Sequence, residues 1–148
     1  MEQHFLSHKH EFEILLADIQ SDINLKMIGI GKLRYADRFM QNIESLTEVE
    51  SLGIAKDRWL GYQQRLKELG IMMVLNESGS VEFKIDSESL LNGDSSKGYL
   101  FSSVPPRNQR ESLDDYRISV HDKTDTGGYV VHKPIAKHAN WYLYLYVN

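Results

Sequence analysis

The carboxyl-terminal segment alternates two residue types with the period of a β-strand, and this constrains the fold more than any other feature of the chain. Every second position is apolar, at Trp141, Leu143, Leu145 and Val147. The positions between them are Tyr142, Tyr144 and Tyr146. Because successive side chains of a strand point to opposite faces of a sheet, the pattern predicts a strand with two different faces. The apolar face must be buried, whereas the tyrosine face can be covered, partly hydrated or used for binding.

Two segments in the first half of the chain have helical periodicity. The first is expected from about His8 to Asn24, with Ser7 as its N-cap. The second ends at Gly70, which is placed as a C-terminal stop. Its apolar stripe consists of Trp59, Tyr62, Leu66 and Leu69.

The segment between these two helices has a weaker pattern. Glycines interrupt residues 27–31, which favours a short turn or a strand fragment. Residues 32–53 hint at a helix, in which Thr47 and Glu50 have the spacing of a capping box. We therefore expect a short helical turn in this region.

Apolar residues recur with period two from residue 71 onward, which is typical of strands. A turn-rich linker of hairpin length follows the first of these strands, so the first two are expected to form an antiparallel pair. A diproline ends the third strand. The predicted strands span residues 71–75, 81–85, 98–104 and 129–132, and the last is the carboxyl-terminal segment.

The order of the elements predicts the fold class. Helices fall within about residues 1–70 and strands within about residues 71–148. This order indicates an α+β protein, in which two or three helices pack on a meander-like antiparallel sheet of about five strands. A chain of 148 residues has the size of a single domain. The alternating β-α-β order of a doubly wound sheet is missing from the pattern.

Composition disfavours several classes of function. The chain has no cysteine, which removes disulfide frameworks and thiolate chemistry. Its 21 acidic and 17 basic residues give a net charge of −4, and the basic residues are scattered, which disfavours nucleic-acid binding. We see no secretory signal and no stretch that could span a bilayer. We therefore expect a cytoplasmic protein with no cofactor and no nucleic-acid or membrane partner. The sequence leaves the oligomeric state open.

The candidate catalytic residues lie in a long charged stretch after the diproline. His121, Asp122 and Asp114 place an imidazole and carboxylates in one predicted loop, where general acid–base groups could assemble. The competing interpretation is a solvated loop, because aspartate favours turns.

Two histidines near the amino terminus are the candidate metal ligands. His4 and His8 are four residues apart and would face the same side of a helix. No third ligand can be named, so ordinary surface histidines are the favoured interpretation and we expect no metal site.

The remaining candidate is a tyrosine-lined binding surface. Its predicted members are Tyr142, Tyr144, Tyr146, Tyr99 and Tyr129. Aromatic rings with polar hydroxyl groups suit a protein partner or a small ligand. Tyrosine is also a good strand former, so helices resting on the sheet could simply cover the rings.

The second half of the chain resembles a group of short uncharacterised bacterial proteins that have no assigned activity. The resemblance rests on Lys97-Gly98-Tyr99, Pro105-Pro106, Ser112-Leu113-Asp114 and Asn140-Trp141-Tyr142-Leu143-Tyr144. It covers about the last third of the chain and implies a bacterial, cytoplasmic origin. It assigns a role to no residue.

Three functional hypotheses follow from the sequence. The first is a noncatalytic protein-binding module, for example of the immunity or inhibitor type, which suits the small size, the acidic charge and the tyrosine face. The second is a small hydrolase that uses the loop around His121. The third is a protein that binds a small ligand on the tyrosine face.

Overall fold

The structure is a computed structural model and describes residues 1–90, 93–113 and 128–148. The chain divides into two units. The amino-terminal unit comprises residues 3–77, and the carboxyl-terminal unit comprises residues 78–148 together with Met1 and Glu2. The described residues form four helices and eight strands, four strands in each unit. The α+β class and antiparallel pairing are confirmed, and the expected number of about five strands is wrong.

The first part of the chain contains all four helices and also four of the strands. The helices are α1 (Glu2–Ser7), α2 (Lys9–Ser21), α3 (Leu46–Ser51) and α4 (Lys56–Glu68). The strands are β1 (Leu25–Gly29), β2 (Lys32–Tyr35), β3 (Gln41–Asn42) and β4 (Met73–Glu77). They pair antiparallel in the order β3-β2-β1-β4. None of the described helices is long and apolar enough to cross a membrane.

One face of this four-stranded group is apolar and buried. Ile28 of β1 lies opposite both Leu33 of β2 and Val74 of β4, and all three are buried. Helix α4 is tied to the β1–β2 turn, because the Gln63 side chain donates a hydrogen bond to the carbonyl of Gly29. The helices add a stripe of buried side chains to the unit, at Phe12, Leu15, Ile19, Trp59, Tyr62 and Leu66.

Helix boundaries differ from the predicted ones in two places. Ser7 is the last residue of α1 and its hydroxyl donates to the carbonyl of Gln3, so its prediction as the N-cap of the next helix is wrong. The start of α3 also differs from the predicted capping box at Thr47 and Glu50. Ser45, not Thr47, is the N-cap of α3, and its hydroxyl accepts the backbone N–H of Glu48.

The carboxyl-terminal unit is built on a second antiparallel group. Its strands are β5 (Ser80–Leu90), β6 (Gly93–Ser102), β7 (Tyr129–Pro134) and β8 (Trp141–Val147). Their order is β5-β6-β8-β7, so β8 has a hydrogen-bonded neighbour on both sides. The predicted carboxyl-terminal strand is confirmed. Aromatic rings pack beside it, with 5.6 Å between the ring centroids of Phe83 and Trp141.

Candidate functional site

The strand register separates the five predicted tyrosines onto two sheet faces. Residues directly opposite each other in an antiparallel ladder share a face. Tyr99 lies opposite Leu143, and Tyr129 lies opposite Val147. Both tyrosines therefore belong to the apolar face of β8. The face that carries Tyr142, Tyr144 and Tyr146 does not include them.

Three of the five tyrosines are buried. Tyr142 and Tyr144 are 6% and 3% exposed, and Tyr99 is fully buried, with its hydroxyl donating to the carbonyl of Met1. Tyr129 and Tyr146 are half-buried. A binding role for these residues stays a prediction. Replacing a buried ring such as Tyr142 with alanine would open a cavity and cost about 3–5 kcal/mol, so lost binding in that variant would not identify a contact residue.

A histidine that the sequence analysis did not select lies on the tyrosine face. His132 is directly opposite Tyr144. Its backbone N–H donates to the carbonyl of Asn108, and its carbonyl accepts the N–H of Arg110. Burial lowers the pKa of His132 to about 4, so the imidazole is neutral at neutral pH.

The hydroxyl of Tyr144 is buried on the same face. It makes no hydrogen bond of normal geometry with the described residues. Burial raises the pKa of the Tyr144 hydroxyl, and the neighbouring carboxylate of Glu82 raises it further. His132 and Tyr144 are therefore two neutral side chains that face each other across the strands, as expected on a buried sheet face and not on an open binding surface.

The candidate catalytic residues stay predictions. His121, Asp122 and Asp114 lie outside the described residues. Their proximity to one another is therefore untested.

The two candidate metal ligands stack on each other. The ring centroids of His4 and His8 are 4.6 Å apart, and Nδ1 of His8 lies 3.0 Å from the carbonyl oxygen of His4. Phe12 packs edge-on against the His4 ring at 6.1 Å. Burial, followed by the charge of His8, lowers the pKa of His4. Within residues 1–90, 93–113 and 128–148, no cluster of three or more potential ligand side chains could hold a metal ion.

A groove with charged walls lies on the apolar face of the carboxyl-terminal unit; we call it the leucine groove. It has a volume of about 470 Å³ and is lined by Met1, Glu2, Lys97, Ser112, Leu113, Lys133, Leu143 and Leu145. Lys97 lies opposite Leu145 in the β6–β8 ladder, and Lys133 lies opposite Leu143 in the β7–β8 ladder. Each lysine of the groove is therefore next to a leucine of β8 on the same sheet face.

Both lysines of the leucine groove are ion-paired. The Nζ of Lys133 lies 2.6 Å from a carboxylate oxygen of Glu2, and that of Lys97 lies 2.9 Å from Asp86. The hydrogen bond from Lys133 lowers the pKa of Glu2, and the hydrogen bond from Lys97 lowers the pKa of Asp86. Cations and an apolar floor therefore occur together in this groove.

A second surface lies in the amino-terminal unit, on the face opposite to its buried one; we call it the methionine face. Its residues are Met27, Gly29, Lys32, Arg34, Met73 and Leu75. In the β1 ladders, Met27 lies opposite both Arg34 and Leu75. Met27 and Leu75 are half-buried, whereas Arg34 is exposed. The sequence analysis left residues 27–31 as either a short turn or a strand fragment, so it did not select the surface.

Gly29 leaves a gap at the centre of the methionine face. It lies opposite Lys32 on one side and Met73 on the other. A Cβ atom at Gly29 would be 3.0 Å from the carbonyl oxygen of Met72 and 3.9 Å from the terminal methyl of Met73. The absence of a side chain therefore lets β4 approach closely and lets the Met73 side chain lie beside the β1 backbone.

Comparisons with known proteins assign no family to this chain. Protein-family models, curated proteins and solved structures gave no match. The functional argument therefore rests on an α+β fold with two amphipathic surfaces, the leucine groove and the methionine face.

Proposed function

We propose that this protein is a noncatalytic protein-binding module whose methionine face receives an acidic and apolar segment of another protein. The observation that carries the proposal is the position of Met27 between Arg34 and Leu75. A half-exposed thioether and an aliphatic side chain offer apolar contact beside a guanidinium group. Methionine is flexible and polarisable, which suits contact surfaces that adapt to a partner.

The positive charge of the methionine face favours a partner segment that carries a carboxylate. The whole chain has a net charge of −4, yet the methionine face carries two exposed cations, Lys32 and Arg34. A guanidinium group can bind a carboxylate through two parallel hydrogen bonds. A partner with a carboxylate next to apolar side chains would satisfy Arg34 while covering Met27. Glu77 follows on the same strand as Leu75 and would repel a longer acidic run.

An immunity or inhibitor role is the form of this proposal that suits a small protein of acidic charge. Such a protein acts by covering a surface of its partner, so it needs a contact face rather than a reactive group. The bacterial and cytoplasmic origin belongs to the same proposal and is supported by the resemblance of residues 97–144 alone.

A peptide selection followed by NMR tests the proposed face. Peptides selected from a random displayed library against the immobilised protein should be enriched in aspartate or glutamate next to leucine, isoleucine or phenylalanine. Titration of a selected peptide into the ¹⁵N-labelled protein should shift the amide resonances of Met27, Arg34 and Leu75. Arg34→Glu should weaken binding at least about tenfold, because it replaces attraction by repulsion at the contact.

Lys67→Glu provides the matched control, since it makes the same charge change at an exposed position of α4. This control should bind the peptide as the unaltered protein does. Selected peptides without acidic residues would contradict the proposal. So would equal binding by Arg34→Glu and the unaltered protein, when circular dichroism shows both to be folded.

A further inference from the structure

We infer that the leucine groove binds a small organic carboxylate with a hydrocarbon chain. The site lies entirely in the carboxyl-terminal unit and is independent of the methionine face. Its volume of about 470 Å³ falls within the range of small-molecule sites, which are concave and largely apolar with a few polar groups that orient the ligand. The apolar floor of the groove suits the hydrocarbon chain of such a ligand, and the lysine in its wall suits the carboxylate.

The floor accommodates the hydrocarbon chain. Leu143 and Leu145 are two residues apart on β8, so both side chains point to the same face. Leu113 contributes a third apolar side chain to the lining. Burial of a hydrocarbon chain on these surfaces removes apolar area from water, which stabilises the complex more for a longer chain.

The wall at Lys133 accommodates the carboxylate. The Lys133 side chain is 31% exposed, so its charge is partly shielded from water and its attraction for an anion is screened less than at an open surface. An ammonium group has three N–H donors. The hydrogen bond of Lys133 to Glu2 therefore leaves room for a second carboxylate on the same nitrogen.

Glu2 competes with the ligand in this arrangement. It is already ionised when Lys133 holds it, because the hydrogen bond lowers its pKa. A bound carboxylate would share the ammonium with Glu2 and be repelled by it. Removing the charge of Glu2 should therefore strengthen binding of the anion, an effect that a purely structural ion pair would not produce.

Calorimetric titration with decanoate tests the inference on the full chain, with decan-1-ol as the uncharged probe of the same length. Decanoate should bind with a dissociation constant below about 1 mM, and the alcohol at least about tenfold more weakly. Lys133→Gln should weaken decanoate binding about tenfold or more. Glu2→Gln should strengthen it about threefold. Leu145→Asp should abolish it, because it places a carboxylate on the floor.

Lys84→Gln is the matched control, because Lys84 lies opposite Gly98 and therefore on the other sheet face. It should leave decanoate affinity unchanged, and circular dichroism should show every variant to be folded. Decanoate that fails to bind, an alcohol that binds as tightly, or a Glu2→Gln variant with unchanged or weaker affinity would each overturn the inference. None of these outcomes bears on peptide binding at the methionine face, which the Arg34→Glu variant tests separately.

Discussion

His132 of β7 lies directly opposite Tyr144 of β8, with the Nδ1 atom of the imidazole and the hydroxyl oxygen of the phenol both buried. Neither atom has a hydrogen-bond partner of normal geometry among the described residues. Burial disfavours an imidazolium at this position by more than the hydrogen bond with the Asn108 backbone favours it, so the neutral ring is the stable form. The pair therefore makes the carboxyl-terminal unit sensitive to acid.

We expect the free energy of unfolding to decrease between about pH 6.5 and pH 4 because of His132. Its pKa is about 4 in the folded protein, against an ordinary value of 6.5. Below pH 6.5 the unfolded chain binds a proton that the folded chain does not, so stability is lost as the pH falls; above pH 6.5 the contribution is constant. The loss attributable to this residue is about 3 kcal/mol at most.

Urea denaturation of His132→Gln at about pH 7.5 and about pH 4.5 measures this loss. The variant should lose less stability on acidification than the unaltered protein does. His10→Gln, which removes an exposed histidine of α2, serves as the comparison. A fall in stability as large in His132→Gln as in the unaltered protein would show that another group causes the acid sensitivity.

Gly98→Ala should destabilise the protein by at least about 2 kcal/mol. A Cβ atom at this position would overlap the carbonyl oxygen of Phe83 and lie 2.9 Å from Cε1 of the Tyr144 ring. The first contact is with backbone of a paired strand, so it cannot be relieved by a side-chain rotation.

Gly61→Ala is the opposite case and the control for Gly98→Ala. Gly61 lies inside α4, and a Cβ atom there would meet nothing within 4 Å. We expect this variant to gain about 0.5–1 kcal/mol, because alanine favours a helix interior over glycine. Guanidinium denaturation of both variants gives the two free energies of unfolding; a loss of similar size in both would contradict the packing argument.

Ser45→Ala should cost about 1 kcal/mol, because the Ser45 hydroxyl accepts the N–H of Glu48 at the start of α3. Thr47→Ala should be nearly neutral, since Thr47 lies inside the helix and not at its N-cap. Denaturant midpoints of the two variants distinguish the positions. An equal or larger loss for Thr47→Ala would contradict this assignment and would favour Thr47 as the N-cap, as the sequence predicted.

The β8 strand was predictable because its alternation is carried by large apolar and aromatic residues, from Trp141 to Val147. The burial of its tyrosine face was not, since tyrosine suits a covered face and an open one equally well. The sequence also did not show which residues of neighbouring strands share a face with the β8 tyrosines. That Tyr99 faces the same way as Leu143 follows from the register of β6 against β8, which one strand's pattern does not contain.

Polar strand residues explain why β5 and β6 are longer than the predicted strands. Strands β5 and β6 extend through Asp86 and Lys97, which are paired across the ladder by a salt bridge of 2.9 Å. Such cross-strand pairs stabilise a ribbon without any apolar alternation. The two lysines of the leucine groove could not be selected from the sequence either, because Lys97 and Lys133 come together only when both strands flank β8.

Gln63→Ala should destabilise the amino-terminal unit by about 1–3 kcal/mol. The Gln63 amide donates to the carbonyl of Gly29 at 3.0 Å and accepts the N–H of Gly31 at 2.8 Å, so it satisfies two backbone groups of the β1–β2 turn from α4. Gln64→Ala is the matched control: its side chain is exposed and donates only to Glu68 on the same helix, so its loss should change stability by less than about 0.5 kcal/mol. Hydrogen exchange of the Gly31 amide should accelerate in Gln63→Ala and not in Gln64→Ala. Unchanged exchange at Gly31 in the Gln63 variant would mean that the turn holds its conformation without the helix.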